Sequence, residues 1–361
     1  MELKFSLNKG LASFGHRFIL RISGDTLNET DRLALKELKP FGVILSKINF
    51  KSGVSYEETL NTFVNLIKDL KKAISRQKIF LGIEEEGGSF HQLPEPFANI
   101  PAPALYRTHA TEIADIISAE LGSLGINVLL GPVADVLAPY VNCSIGDRAF
   151  GDSVDEVTEA ACLFSHQLMK NGIMPAPKHF PGEGGAIKQL EGAIRAVNLS
   201  EDEMLNKDLR PFGSLIDVGV PMILTSSLYF GGFDREVPAP MSRRVMHDLL
   251  RERLGFKGTI ISGPLDAEHI RRGFADIEII KSALASGCDL FQISDPEYAC
   301  TLAYQIGDVR AVRMVSDEDL QSSFERIRAL YEKLRPNEVK QLNQATFKQH
   351  QEIVSQLFNV N

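Results

Sequence analysis

The chain has 361 residues, of which 44% are hydrophobic and 24% charged, and its formal net charge is -8 at pH 7. This length and composition are typical of a globular protein with one large domain or two ordinary ones. The acidic balance argues against nucleic acid as the main partner, because binding to phosphates needs a basic surface.

Three further features narrow the class of protein. No run of about 18 apolar residues occurs, so we expect no membrane-spanning helix and no membrane partner. Residues 1–10 lack the apolar core of a signal peptide, which predicts a cytoplasmic protein. The cysteines have no paired spacing, which predicts free thiols and no zinc site; they are Cys143, Cys162, Cys288 and Cys300.

Short apolar segments of β-forming residues alternate with helical patterns about eight times along the chain. The predicted strands lie at residues 18–23, 42–46, 78–83, 127–133, 174–178, 221–226, 258–262 and 289–294. The predicted helices lie at residues 28–38, 56–75, 111–124, 155–171, 200–217, 243–254, 276–286 and 317–334. The first helix opens with a capping-box-like pattern around Thr30.

This alternation predicts the fold class. Continuously apolar strands indicate a parallel sheet that is covered on both faces. Eight β-then-α units are the number that closes into a (β/α)8 barrel of the TIM type, so we predict an α/β fold with one barrel domain at residues 1–335. The polar segment 336–361 is predicted to be a C-terminal helical tail packed outside the barrel, or a frayed end.

Polar side chains follow most of the predicted strands. Catalytic residues of such barrels lie at the C-terminal ends of the strands. The side chains found there are Ser46, Lys47, Glu84, Glu85, Glu86, Asp135, Lys178, His179, Ser226, Ser227, Ser294 and Asp295. Carboxylates, lysine and histidine at one pocket suit a ligand with many hydroxyl groups. The three glutamates also raise the possibility of Mg²⁺, but at most two can share a face of the strand, so we expect no metal and no cofactor.

Several motifs then point to a family. They occur in order over roughly residues 15–335 and are Glu86-Gly87-Gly88, Gly131-Pro132-Val133-Ala134-Asp135, Ile145-Gly146-Asp147-Arg148, Lys178-His179-Phe180-Pro181-Gly182, Leu254-Gly255-Phe256-Lys257-Gly258 and Ala285-Ser286-Gly287-Cys288-Asp289. With them the chain resembles the bacterial β-N-acetylglucosaminidases of glycoside hydrolase family 3, the cytoplasmic type that trims cell-wall fragments.

The resemblance implies a ligand and binding positions for it. The ligand would be a saccharide or muropeptide that contains N-acetylglucosamine, met during peptidoglycan recycling. Arg148, Lys178 and His179 stand where the family binds the N-acetylhexosamine. Glu84 stands where the family has an aspartate for sugar hydroxyls, and Gln92 where it has an arginine.

Both catalytic positions of the family are altered. The resemblance implies a retaining mechanism with an aspartate nucleophile and a histidine acid/base on a mobile loop. Gly263, followed by Pro264, occupies the nucleophile position, and Glu191 occupies the acid/base position. Glu191 would serve as a general acid if burial raised its pKa. Retaining glycosidases need two carboxyl groups about 5–5.5 Å apart, so we expect normal hydrolysis to be weak or absent.

Three functional hypotheses follow. The first is a catalytically impaired homologue that binds a cell-wall sugar. The second is an active glycoside hydrolase with relocated carboxylates, drawn from Glu191, Asp266 and Glu84 to Glu86. The third is a structural or protein-interaction role with a blocked pocket.

Overall fold

The computed structural model describes residues 14–138, 143–186, 196–306 and 315–358. The strands of these ranges are β1 Phe18–Arg21, β2 Gly42–Leu45, β3 Phe80–Ile83, β4 Val128–Leu129, β5 Met174–Pro175, β6 Ala196–Val197, β7 Met222–Leu224, β8 Tyr229–Phe230, β9 Thr259–Ile261 and β10 Phe291–Ile293. The helices are α1 Glu29–Leu38, α2 Tyr56–Ile74, α3 Pro103–Tyr106, α4 Ala110–Ser123, α5 Val154–Lys170, α6 Glu201–Asn206, α7 Arg210–Val218, a π-helix Arg244–Arg253, α8 Glu268–Arg271, α9 Asp276–Ser286, α10 Pro296–Ile306, α11 Asp317–Lys333 and α12 Gln344–Phe358.

Parallel strands form a ring around a central apolar cluster. One sheet has the order β10-β1-β2-β3-β4-β5, and β7 pairs with β9 in a second sheet. Parallel bridges from Phe180 to Thr225 and from Ile261 to Leu290 join the two sheets. Each of these eight strands therefore has a parallel neighbour on both sides, as the predicted α/β barrel requires.

The alternation of side chains along each strand places the polar residues at one end of the barrel. The apolar cluster between the strands includes Ile19, Ile44, Phe80, Ala176, Leu224 and Ile261. A residue two or four positions further along the same strand points to the same side. Arg21, Glu84, Lys178, Ser226 and Gly263 therefore continue this interior column beyond the apolar layer.

Two predicted helices differ in detail. The capping box of α1 is centred on Asn28, whose side chain accepts a hydrogen bond from the backbone N–H of Asp31, and not on Thr30. The helix predicted at 200–217 is divided into α6 and α7, since Pro211 has no N–H to donate and is tolerated only in a first helical turn.

The C-terminal helix α12 packs on the outside of the barrel. The ring of Phe347 lies 5.2 Å from that of Phe97 and 5.0 Å from that of Tyr56. His350 Nδ1 lies 2.8 Å from Glu120 Oε1, and Glu120 also accepts from the backbone N–H of Ala98. None of the described helices combines the length and apolarity that crossing a membrane requires.

Candidate functional site

Lys178 lies at the centre of the predicted site. Its side chain is fully buried, and its Nζ lies 3.0 Å from Glu84 Oε1 and 2.6 Å from Glu86 Oε1. Both carboxylates follow β3, two residues apart, so they face the same side and hold the ammonium group between them. The sequence predicted all three residues at this end of the barrel.

Two arginines extend this cluster on either side. Arg148 binds Glu86 through two parallel bonds, Nε to Oε2 at 2.7 Å and Nη2 to Oε1 at 2.8 Å, which is the bidentate geometry of a strong ion pair. The guanidinium of Arg148 also lies 3.9 Å from the centre of the Phe90 ring. Arg21, the last residue of β1, forms an ion pair with Glu84. The result is a chain of alternating charges, Arg21–Glu84–Lys178–Glu86–Arg148.

The electrostatics of this charge chain favour the ionised forms. Burial alone would raise the pKa of Glu84, but Lys178 and Arg21 outweigh burial and hold that pKa well below its usual range. Burial likewise opposes ionisation of Glu86, and Lys178 and Arg148 lower its pKa. The pKa of Arg148 is raised, because its pairing with Glu86 exceeds the effect of burial. Glu84, Glu86 and Arg148 are therefore charged at neutral pH.

Glu85 points to the other side of the strand. It accepts hydrogen bonds from the backbone N–H groups of Gln92 at 2.6 Å and Leu93 at 3.2 Å, and its Oε1 lies 2.9 Å from His91 Nδ1. The expectation that at most two of the three glutamates share a side is confirmed. Within the described ranges, no group of three or more His, Cys, Asp or Glu side chains is placed to hold a metal ion.

Gln92 occupies the edge of the site. Its Oε1 accepts from the backbone N–H of Lys47 at 3.0 Å, and its Nε2 donates to the carbonyl of Phe90 at 3.1 Å. Both ends of this amide are thus bound to backbone. Gln92 holds the loop that carries Phe90 beneath Arg148.

His179 is oriented by Asp135. His179 Nδ1 lies 2.8 Å from Asp135 Oδ2, and its backbone N–H donates to Oδ1 at 3.4 Å. Because a carboxylate only accepts, Nδ1 carries the proton, and Nε2 has no partner among the described residues. The buried Asp135 therefore presents an imidazole nitrogen that can accept a hydrogen bond from a ligand hydroxyl.

A further carboxylate comes from the glycine-rich loop after His179. The backbone N–H of Glu183 donates to Asp135 Oδ1 at 2.7 Å. Ser226 Oγ donates to Glu183 Oε1 at 2.6 Å, and this serine follows β7. Glu183 makes no ion pair with any residue that the structure describes, and its side chain links the loop to the neighbouring strand.

The position of the expected nucleophile is closely packed. The backbone N–H of Gly263 donates to Thr225 Oγ1 at 3.1 Å. A Cβ atom at residue 263 would lie 2.9 Å from the carbonyl oxygen of Thr225 and 3.0 Å from the backbone nitrogen of Ser227. Any side chain here requires the β7 end or the Gly263 backbone to shift, because both near contacts are with backbone atoms.

Two carboxylates, Asp266 and Glu191, were named from the sequence as possible replacements for the missing catalytic groups. Asp266 Oδ2 accepts from the backbone N–H groups of Ser294 and Asp295, both at 2.7 Å, and burial raises its pKa. This carboxyl group therefore fixes the segment that leaves β10. Glu191 lies outside the described residues.

Sequence reasoning missed three residues of this region. Arg21 ends a strand whose other residues are apolar, and reading the end of that strand would have identified it. Glu183 lies in a loop, and only the folded chain brings it to Ser226. Asp208 is fully buried next to Gly182, both of its carboxylate oxygens lack a hydrogen-bond partner among the described residues, and burial raises its pKa to about 7.

Comparison with known proteins identifies the family. The family described as the glycosyl hydrolase family 3 N-terminal domain matches residues 19–330. A β-hexosaminidase of Nitrosomonas eutropha is 30% identical over 295 residues, which cover 78% of this chain and 81% of that protein. A second β-hexosaminidase, from Thioalkalivibrio sulfidiphilus, is 29% identical over 302 residues, 80% of this chain and 84% of that protein.

Solved structures share the fold. A family 3 β-N-acetylglucosaminidase from Paenibacillus has a TM-score of 0.83 at 22% identity, covering 96% of this chain and 68% of that chain. NagZ from Neisseria gonorrhoeae, in complex with N-trifluoroacetyl-D-glucosamine, has a TM-score of 0.73 at 22% identity, covering 94% and 97%. With the family match spanning the barrel and the strand-end residues in their expected places, the chain belongs to glycosyl hydrolase family 3.

Proposed function

We propose that this protein binds saccharides containing N-acetylglucosamine, such as cell-wall fragments, and hydrolyses them weakly or not at all. The observation that carries the proposal is the contrast between two sectors of the barrel mouth. Lys178, Glu86 and Arg148 form a connected set of charged groups. Gly263 offers no side chain and has no room for one without a shift of backbone.

The proposal that the protein binds a sugar rests on side chains that can accept hydrogen bonds from sugar hydroxyls. Glu84 keeps 22% of its side chain exposed, and His179 keeps 14% exposed while Asp135 holds its ring. A carboxylate and an imidazole nitrogen can both accept from sugar hydroxyls. Relatives named β-hexosaminidases, and a neighbouring structure that contains an N-acylglucosamine analogue, support an N-acetylhexosamine as the ligand.

The catalytic half rests on the missing attacking group. A retaining glycosidase forms its covalent intermediate on a carboxylate close to the anomeric carbon. Residue 263, where the family has that carboxylate, is a glycine, and Asp266 is bound to the backbone N–H groups of Ser294 and Asp295. Loss of such a nucleophile costs on the order of 10⁶ in turnover where comparable groups were removed from a protease.

Two measurements test the two halves separately. Isothermal titration calorimetry with N-acetylglucosamine should detect binding at millimolar ligand or below. Incubation with an aryl N-acetyl-β-glucosaminide should release aryl alcohol far more slowly than about 10 s⁻¹, a typical enzyme turnover. Turnover near that value would refute the proposal that hydrolysis is weak or absent. The absence of any heat of binding in the titration would favour a structural or protein-interaction role.

Active hydrolysis with relocated carboxylates has one observation in its favour. Glu183 is an acid near the site that no cation neutralises within the described ranges, and Ser226 fixes its orientation. If this carboxylate takes part in hydrolysis, a Glu183→Gln variant should abolish whatever turnover the parent shows. Equal residual turnover in both proteins would exclude that role.

The cellular setting is also part of the proposal. A ligand from the cell wall would place the protein in peptidoglycan recycling, and the resemblance to the cytoplasmic type of the family supports a cytoplasmic location. Cell fractionation with an antibody to the protein tests the location. Accumulation of N-acetylglucosamine-containing fragments in a deletion strain tests the process.

A further inference from the structure

The charge chain at the barrel mouth is not balanced. It contains three cations, Arg21, Lys178 and Arg148, and two carboxylates, Glu84 and Glu86. The formal charge of these five side chains is +1, in a protein whose net charge is -8, and at the Arg148 end a further carboxylate, Asp135, offsets positive charge. Both ends of the chain are guanidinium groups.

Exposure rises toward one of these ends. The side chain of Lys178 is 0% exposed and that of Glu86 is 3% exposed, whereas Arg148 is 14% exposed and Arg21 is 25% exposed. Arg21 is therefore the most exposed cation of the charge chain, and its partner Glu84 is 22% exposed.

Arg21 also has bonding capacity left. Arg148 donates hydrogen bonds from two nitrogens to Glu86, and its guanidinium group stacks on the ring of Phe90. Among the described residues, Arg21 hydrogen-bonds only to Glu84, and it does so through Nη2. Since a guanidinium carries five N–H donors in a planar fork, Arg21 retains donors that match an oxyanion.

A further cation follows the neighbouring strand. Lys47 follows β2, which lies between β1 with Arg21 and β3 with Glu84. Its side chain is exposed, and it makes no ion pair with the residues that the structure describes. No described carboxylate other than Glu84 pairs with Arg21 or Lys47.

We propose that the saccharide bound at this site carries an anionic group, a carboxylate or a phosphate, that pairs with Arg21. The inference rests on the proposed function, because Glu84, the partner of Arg21, is assigned there to sugar hydroxyls. Hydroxyls would accept hydrogen bonds from Arg21 but would add no negative charge to a chain in which two carboxylates serve three cations. An oxyanion provides both the charge and the paired acceptors.

Titration calorimetry with four sugars tests the inference. N-Acetylglucosamine is the neutral reference, and the anionic probes are N-acetylglucosamine 6-phosphate, 2-acetamido-2-deoxyglucuronic acid and N-acetylmuramic acid. At least one anionic sugar should bind about tenfold or more tightly than the reference, as charge-assisted hydrogen bonds are worth this much. Comparison of the phosphate with the two carboxylates identifies the preferred group.

An Arg21→Gln variant locates the effect. It should reduce the affinity for the preferred anionic sugar about tenfold more than it reduces the affinity for N-acetylglucosamine, whose binding also depends on Glu84, the partner of Arg21. Arg32→Gln is the matched control, because Arg32 is a half-exposed cation of α1 that pairs with Asp69, on the outer layer of the barrel. This control should leave both affinities unchanged.

Each other outcome has a definite meaning. If N-acetylglucosamine binds and no anionic probe binds more tightly, the inference is overturned while the proposed function stands. If none of the four sugars binds, the proposed function fails and the inference fails with it.

If Arg21→Gln does not fold, the salt dependence of binding to the unmutated protein is measured in its place. Raising the salt from 20 to 200 mM should weaken binding of the anionic sugar several-fold and leave binding of the neutral sugar unaffected. Equal salt dependence of the two would overturn the inference.

Discussion

Lys178 Nζ lies 2.6 Å from Glu86 Oε1 in a place that solvent does not reach. Taking an ammonium group out of water is costly, and the cost is offset here by two carboxylates, since Glu84 lies 3.0 Å away on the other side. The pair is therefore important for stability as well as for the site.

Replacement of Lys178 by methionine should strongly destabilise the fold. The variant leaves Glu84 and Glu86 without their shared cation, so we expect urea denaturation to show a loss of about 3–5 kcal/mol. Arg32→Gln breaks a half-exposed pair and should cost less than about 1 kcal/mol. A Lys178→Met protein as stable as this control would show that the buried ion pairs do not hold the barrel mouth together.

Introducing a carboxylate at residue 263 should fail to produce hydrolysis. Gly263→Asp brings a Cβ atom against the carbonyl of Thr225, and the strain should move the new carboxylate and lower stability by about 1–3 kcal/mol. The readouts are release of aryl alcohol and chemical denaturation.

A pair of alanine variants isolates the steric effect. Gly263→Ala should be destabilising, whereas Gly213→Ala should be neutral or stabilising by up to about 1 kcal/mol, since Gly213 lies in α7 with no atom within 4 Å of its Cβ position. A Gly263→Asp enzyme that is stable and hydrolyses the substrate would refute both the steric argument and the impaired reading.

Asp208 should make stability fall as pH rises. Burial raises its pKa from 3.8 to about 7, so the folded protein keeps a proton that the unfolded chain releases near pH 4. Its contribution to stability is thus fully present below pH 4 and is lost as pH rises through about 7. Asp208→Asn removes this dependence. The stability of the variant relative to the parent should increase by about 2 kcal/mol between pH 5 and pH 8.

Urea denaturation of both proteins at a series of pH values measures that difference. Effects common to the two proteins cancel, and the cost of burying the amide in the variant does not vary with pH. Parallel stability curves for parent and variant would contradict a buried, neutral Asp208.

Truncation of Phe347 tests whether the C-terminal segment is part of the folded unit. Its side chain is 3% exposed and packs on Phe97 and Tyr56, so Phe347→Ala should cost about 3 kcal/mol in a single unfolding transition. Lys348→Ala, at a largely exposed neighbour, should change stability by less than about 0.5 kcal/mol. Equal stability of the two variants would indicate a tail that contributes nothing to the barrel.

Strand order and type were predictable because burial on both faces leaves a simple signature. Segments 42–46 and 78–83 consist mainly of apolar residues, and β2 and β3 lie within them. The residues at which each strand and helix begins and ends were less predictable. The strand expected at 127–133 is only Val128–Leu129, since Pro132 cannot donate to a neighbouring strand. Helix α10 was missed, although Pro296 in its first turn is a start signal.

The sequence by itself determined the repeating β/α pattern, the charged residues at the strand ends and the absence of a side chain at residue 263, because each depends on local chemistry or on the order of the chain. Only the tertiary structure decided that Arg21 joins Glu84, that Ser226 holds Glu183, and that backbone from β7 fills the space beside Gly263. These contacts join residues at least 36 positions apart, and their geometry follows from how the strands pack around the barrel.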